Sequence, residues 1–261
     1  MKPQIFSSYG QQVDFELDKP VEIYIDTPPI PRQPKPAGTT RVMILMEPDG
    51  ILGFGMHAYK YASAWQLDYI FTFDEFILNN HPLARLFEFG TSWIEPDEST
   101  DKKFCVSNVC GKKGVTRNRL MRETLFRRRN EITIPTDFYV SGNEGMQGEK
   151  VLGSTKDPLF ESMFHVAIEN YSLKYYFSEK LCDPLIRKTV PVYIGCTNIG
   201  DYFNTDGIIS VENVDELIAV CNNLTPEDYH SRMDAIEENF EKAKYWKEWP
   251  SRLEEKLKEL L

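Results

Sequence analysis

The sequence predicts an α/β protein built as two α/β halves facing a cleft. Three observations predict it: short apolar runs of the kind buried on both faces of a parallel sheet, a polar or acidic loop directly after each run, and helix-length segments between them.

Val21-Glu22-Ile23-Tyr24-Ile25 alternates and is β-rich, so it reads as a strand. It runs into Asp26 to Pro36, where five prolines forbid helix or central strand and leave an extended connector. Arg41 to Met46 is a continuous apolar run stopped by the turn signal Glu47-Pro48-Asp49-Gly50. Asp68 to Phe73 is a third strand, again followed by acids at Asp74 and Glu75. Phe104 to Asn108 opens a second series. Thr116 to Arg129 reads as a basic helix with Leu120, Met121, Thr124 and Leu125 inward, and its arginines other than Arg117 mostly solvated. Phe164 to Ile168 and Val190 to Gly195 are two more buried strands, with a crossover helix over Glu179 to Lys188 between them. Thr225-Pro226-Glu227-Asp228 is a helix start, with a capping Thr, Pro at the first position and acids in the first turn. Tyr229, Met233, Ile236, Phe240 and Ala243 follow at spacings of three and four. The acidic stretch 95–101 suits a boundary, giving a first half over 1–100, a second over 101–225 and C-terminal helices over 226–261 that pack across the two.

Composition narrows the function. With 41% hydrophobic and 27% charged residues the chain can bury a core, so disorder is excluded as its main state. Lys and Arg total 30 against 40 Asp and Glu, and the formal charge of −10 repels polyanions, which argues against nucleic acid as a partner. No run approaches the roughly 18 apolar residues of a membrane span, and Met1-Lys2-Pro3 opens no signal peptide. Five scattered cysteines suit reduced thiols, and together these features predict a cytoplasmic protein. The aromatics Tyr245, Trp246 and Trp249 leave peripheral contact with a membrane or partner open, and the oligomeric state is not legible. His57, His81, His165 and His230 lack ligand spacing, and Cys105 and Cys110 lack a second pair, so no metal site is expected.

Glu169 and Asn170 sit just past a buried strand, where α/β sheets place ligand groups. Ser178-Glu179-Lys180 opens a helix, so backbone N–H groups and the Lys180 ammonium could hold a phosphate while Glu179 accepts from sugar hydroxyls. The same residues equally suit a solvated helix start and a turn cap.

The segment 164–209 resembles the signature of the α1,3-fucosyltransferases, glycosyltransferase family 10. The matching residues are Phe164, Glu169, Asn170, Tyr176, Glu179, Lys180, Val190, Pro191, Tyr193, Gly195, Asp201 and Tyr202, in the family's order and spacing. Tyr171 stands where the family has Ser, Ser178 where it has Thr, and Asn204 where it has Pro. Upstream, Ser107-Asn108 and Thr116-Arg117-Asn118 resemble its Ser-Asn and helix-start arginine, and the strand ending in Glu47 resembles the one that ends in its catalytic glutamate.

The resemblance implies Rossmann-like halves of the GT-B type with the first half reduced. It implies an inverting transfer of fucose from GDP-fucose to a glycan hydroxyl. Glu47 would be the general base, with Asp49 the nearby rival, and Arg117 and Lys180 would stabilise the leaving GDP. Ser107, Asn108, Asn170, Tyr176 and Glu179 would line the donor site with them. No cofactor is required; a divalent metal could stimulate but is not expected as a ligand, and no Asp-x-Asp metal anchor occurs. The alternatives are another GDP- or nucleotide-sugar donor, or a module that binds nucleotide sugar or glycan without turnover.

Overall fold

The computed structural model describes residues 1–29, 34–111, 116–142 and 150–261; Ile30, Pro31, Arg32 and Gln33 of the proline-rich connector lie outside them. The chain forms two compact units, Met1–Phe89 with Glu248–Leu261, and Gly90–Lys247.

In the first unit, β1 (Gln4–Ser7), β2 (Val21–Ile25), β3 (Thr40–Ile44), β4 (Tyr69–Thr72) and β5 (Ala84–Leu86) form one sheet in chain order. All four pairings are parallel. Parallel strands need crossovers, and α1 (Asp49–Leu52), α2 (Phe54–Tyr61) and α3 (Glu75–Asn80) lie in them. Asp74, expected only as an acidic strand end, caps α3 by accepting from the Ile77 N–H at 3.0 Å. One sheet face packs Ile23, Ile25, Val42 and Phe71, and the other Met43, Leu45 and Ile70. Glu22 and Arg41, side by side on β2 and β3, form a buried ion pair at 2.7 Å.

In the second unit, β6 (Lys103–Cys110), β7 (Thr136–Ser141), β8 (Lys150–Leu152), β9 (Ser162–Ile168), β10 (Val190–Ile194) and β11 (Ile209–Ser210) form a parallel sheet in the order β11-β10-β9-β6-β7-β8. The chain runs outward from β6 through β8, returns, and runs outward the other way from β9. The junction of β6 and β9 is therefore a topological switch point, where open α/β sheets leave a crevice at the strand ends. The helices are α4 (Arg117–Arg127), α5 (Glu179–Leu185), α6 (Val214–Asn223), α7 (Pro226–His230) and α8 (Met233–Lys247), and in the first unit α9 (Trp249–Leu260).

Several elements differ from expectation for identifiable reasons. The division falls at residues 89 and 90, ahead of the acidic stretch. Ser92 Oγ and the Trp93 N–H both donate to buried Asp183, which ties that segment to the second unit. The C-terminal helices divide: α8 buries Phe240 and Ala243 in the second unit, while α9 buries Leu253 and Leu257 in the core of the first. The helix expected from Thr225 breaks after a single capped turn, in which Thr225 and Asp228 cap each other reciprocally. On α4 the buried face is Asn118, Leu125 and Phe126, with Leu120 52% exposed and Thr124 also outward. Phe126 is the larger apolar side chain, and burying it rotates the face away from the one expected.

Among the described residues no helix is long and apolar enough to cross a membrane.

Candidate functional site

The switch point gathers the charged residues. Glu169 follows β9, with its N–H bonded to the Ile194 carbonyl at 2.8 Å, so its position is set by the pairing of β9 with β10. Its carboxylate accepts from the Ser178 N–H at 2.8 Å and from Ser178 Oγ at 2.7 Å. Ser178 Oγ also caps the Lys180 N–H, so one serine joins the end of β9 to the start of α5. Lys180 Nζ lies 2.8 Å from Glu179 Oε1 and 4.0 Å from Glu169 Oε2.

The electrostatics of this cluster divide its roles. Burial pushes the Glu169 carboxyl up, against the pull of Lys180. Burial would push Glu179 up as well, but Lys180 and Lys156 overcome it and hold that carboxyl at about 2. Burial would lower Lys180, and the two glutamates raise it instead, so the ammonium stays charged.

Arg122 is the second cation. Its Nε donates to the Ile168 carbonyl at 2.8 Å and its Nη2 to the same oxygen and to Asn170 Oδ1, the latter at 3.1 Å. Arg119 Nε reaches the same Asn170 oxygen at 3.3 Å. Burial lowers Arg122, opposed by Glu169, Glu179 and Tyr176, and its charge in turn works against that of Lys180. Lys180 and Arg122 both stand among the carboxylates Glu169 and Glu179 beside a crevice. They line a cavity of about 190 Å³ together with Asn108, Trp93, Lys156 and Asp183. Asp183, 1% exposed, binds Lys156 Nζ at 2.6 Å, and that ammonium lies 4.2 Å over the Trp93 ring.

The predicted residues are distributed as follows. Asn108, Glu179 and Lys180 line this cavity, and Asn170 meets it through Arg122. Tyr176 is buried, close enough to act on Arg122. Ser107 turns into the core, where its hydroxyl meets the Leu159 carbonyl, Ser162 Oγ at 2.7 Å and His165 Nδ1 at 2.8 Å. Burial holds His165 down at about 3, so it is neutral there. Arg117 is exposed on the first turn of α4 and lines a different crevice of about 550 Å³ at the ends of β10 and β11.

Arg122 corrects the expectation that the other arginines of this helix are mostly solvated. It lies five residues beyond Arg117, and only folding of α4 against β9 separates it from Arg127, which points outward. No local signal marks Lys156, Asp183 or Trp93.

Glu47 belongs to the first unit, three residues past β3, and is half-buried. Its rival Asp49 is committed: Asp49 Oδ1 accepts from the Met56 N–H at 3.1 Å and so ties down the start of α2.

Gly195 explains one glycine of the motif. A Cβ there would meet the Tyr193 hydroxyl and lie 2.6 Å from Glu169 Cγ. Gly195→Ala is therefore expected to destabilise the second unit by about 1–3 kcal/mol and to weaken nucleotide binding by displacing Glu169. Thermal unfolding and GDP titration of the variant check both.

The fold is that of glycosyltransferases of the GT-B type. An α1,3-fucosyltransferase in its structure with GDP-fucose is similar at 17% identity and a TM-score of 0.51, over 84% of this chain and 69% of that one. TarM is similar at 11% identity and 0.60, over 92% and 54%. The pneumococcal O-GlcNAc transferase GtfA, in complex with UDP and GlcNAc, is similar at 9% and 0.53, over 85% and 53%. The chain thus spans about half the length of the latter two.

Residues 100–254 match the profile described as glycosyltransferase family 10 (fucosyltransferase), C-terminal part. The chain belongs to that family and is an enzyme of glycosyl transfer. Comparison with curated proteins returns no match.

Proposed function

We propose that this enzyme is an inverting fucosyltransferase with GDP-fucose as donor and a glycan hydroxyl as acceptor. The observation that carries it is the pair of cations, Lys180 and Arg122, that line one crevice at the switch point. Two buried carboxylates keep Lys180 charged there. An anionic leaving group such as a nucleoside diphosphate matches that charge, and family membership together with a structural neighbour solved with GDP-fucose favours this donor.

In the reaction the acceptor hydroxyl attacks the anomeric carbon in line as the bond from that carbon to the phosphate oxygen breaks. The acceptor proton passes to Glu47, and the bonding pair leaves with GDP. Lys180 and Arg122 stabilise the charge growing on the diphosphate, Arg117 of the neighbouring crevice is the third cation assigned to it, and Glu179 accepts from hydroxyls of the sugar. Asn108, Asn170 and Tyr176 shape the donor site, and Ser107 supports it from the core. The stabilising cations are side chains, so this route needs no metal.

Isothermal titration tests the donor. GDP and GDP-fucose are expected to bind and UDP to bind at least about tenfold more weakly. Equal binding of UDP would assign another nucleotide sugar, and no binding of any nucleotide would overturn the assignment.

A further inference from the structure

The first unit contains a second carboxylate beside Glu47, on the neighbouring strand. Asp26 follows β2 directly and is 1% exposed. Its backbone has φ +43°, in the left-handed region that side chains rarely adopt, and is held there from two sides. Its N–H donates to the Ile44 carbonyl at 3.0 Å, and its own carbonyl accepts from Ser8 Oγ at 2.5 Å. Oδ1 accepts from the Met46 N–H at 3.0 Å, and the carboxylate also accepts from the Glu47 backbone. Oδ2 is buried without a hydrogen-bond partner among the described residues.

The side chain therefore bridges the ends of β2 and β3 and grips the two peptide groups that lead into Glu47. An asparagine could hold the same N–H groups without placing an ionisable group in the interior. A carboxylate here costs stability, and the cost is explained if the ionisable group has a use. We propose that Asp26 is the positioning residue of Glu47: it fixes the main chain from which that side chain projects and sets a second negative charge beside it.

This role rests on Glu47 being the general base. Burial, with the Glu47 charge pushing the same way, raises the Asp26 carboxyl to about 7. The ionisable group acting on it is Glu47; the β1 side presents the hydroxyl of Ser8, and the β3 side the backbone of Met46.

The test follows the side-chain carboxyl carbons of ¹³C-labelled full-length protein by NMR from pH 4 to 9, in the wild type, Asp26→Asn and Glu47→Gln. One aspartate signal is expected to titrate near pH 7, to vanish in D26N, and to move to lower pH in E47Q, because removing a neighbouring negative charge eases ionisation. In parallel, GDP release from GDP-fucose with water as acceptor is measured across the same pH range. D26N keeps the grip on the Met46 N–H and removes only the charge, so it is expected to lower kcat about tenfold with the donor KM unchanged and to remove the inflection near pH 7, whereas Asp26→Ala, which also releases the main chain, is expected to lower kcat about 10–100-fold. The thermal stability of D26N at pH 8 should be no lower than that of the wild type. An Asp26 midpoint that E47Q leaves in place, or a folded D26N with wild-type kcat and pH profile, overturns the proposal. A fully active E47Q with a shifted Asp26 midpoint overturns instead the assignment of Glu47 as base.

Discussion

Glu47→Gln is expected to lower turnover by about 10²–10⁴-fold, the usual contribution of a general base, while leaving GDP affinity unchanged. Glutamine keeps the length and polarity of the side chain but cannot take the acceptor proton. The split between kcat and binding follows from the fold, because Glu47 belongs to the first unit and the groups assigned to the diphosphate belong to the second. Asp49→Asn is the control. Asp49 Oδ1 holds the Met56 N–H, so its replacement should cost up to about 1 kcal/mol of stability and little turnover. Transfer rates and GDP titrations on the two variants decide the matter; an active E47Q beside an inactive D49N would move the base to Asp49.

The second large effect is expected at Lys180, in binding and stability together. Its ammonium compensates Glu169, whose side chain is 0% exposed, and Glu179, at 10%. Lys180→Ala leaves both carboxylates buried without that partner, a change that typically costs about 3–5 kcal/mol, and GDP binding should be lost with it. Unfolding alone could mimic that loss, so the informative variant is Glu179→Gln with Lys180→Met. It removes one charge of each sign at nearly constant volume and should recover most of the stability without recovering GDP binding. Recovery of binding in this double variant would show that Lys180 does not meet the diphosphate.

The contribution of Glu179 to the pH dependence of stability should also change sign. In the wild type, burial of Glu179 is outweighed by Lys180 and Lys156, and its folded carboxyl sits at about 2, below the usual 4.5. The stabilisation is therefore present above pH 4.5 and lost as the pH falls toward 2. In K180A the burial of Glu179 is less opposed, that carboxyl holds its proton more tightly than it does in the unfolded chain, and its contribution to stability should fall as the pH rises from acid to neutral. Thermal melts across pH 3 to 8 distinguish the two curves.

The fold was legible where the signal is local. The run from Val21 to Ile25 forms a strand with those ends, and Arg41 to Met46 and Phe164 to Ile168 lie over β3 and β9, because apolar runs between polar stops report burial directly. Thr116, Ser178 and Thr225 cap helices through their own side chains, a matter of two or three residues. The short strands β1, β5, β8 and β11 escaped, having at most four residues each and too little pattern to register, and the six-residue β7 escaped as well. The buried face of α4 was misplaced by about one position because an arginine-rich helix carries a weak apolar stripe.

The candidate site divides along the same line. The sequence by itself determined the family and the identity of Glu169, Asn170, Glu179 and Lys180, since these are close neighbours along the chain and carry a recognisable order. Only the tertiary structure decided which charges meet. Arg122 reaches Asn170 across 48 residues, Lys156 reaches Asp183 across 27, and Asp26 reaches Met46 across 20. The physical reason is that parallel strands pair through crossovers, so neighbours in space are set by strand order and register, and neither is written in the periodicity of any one segment.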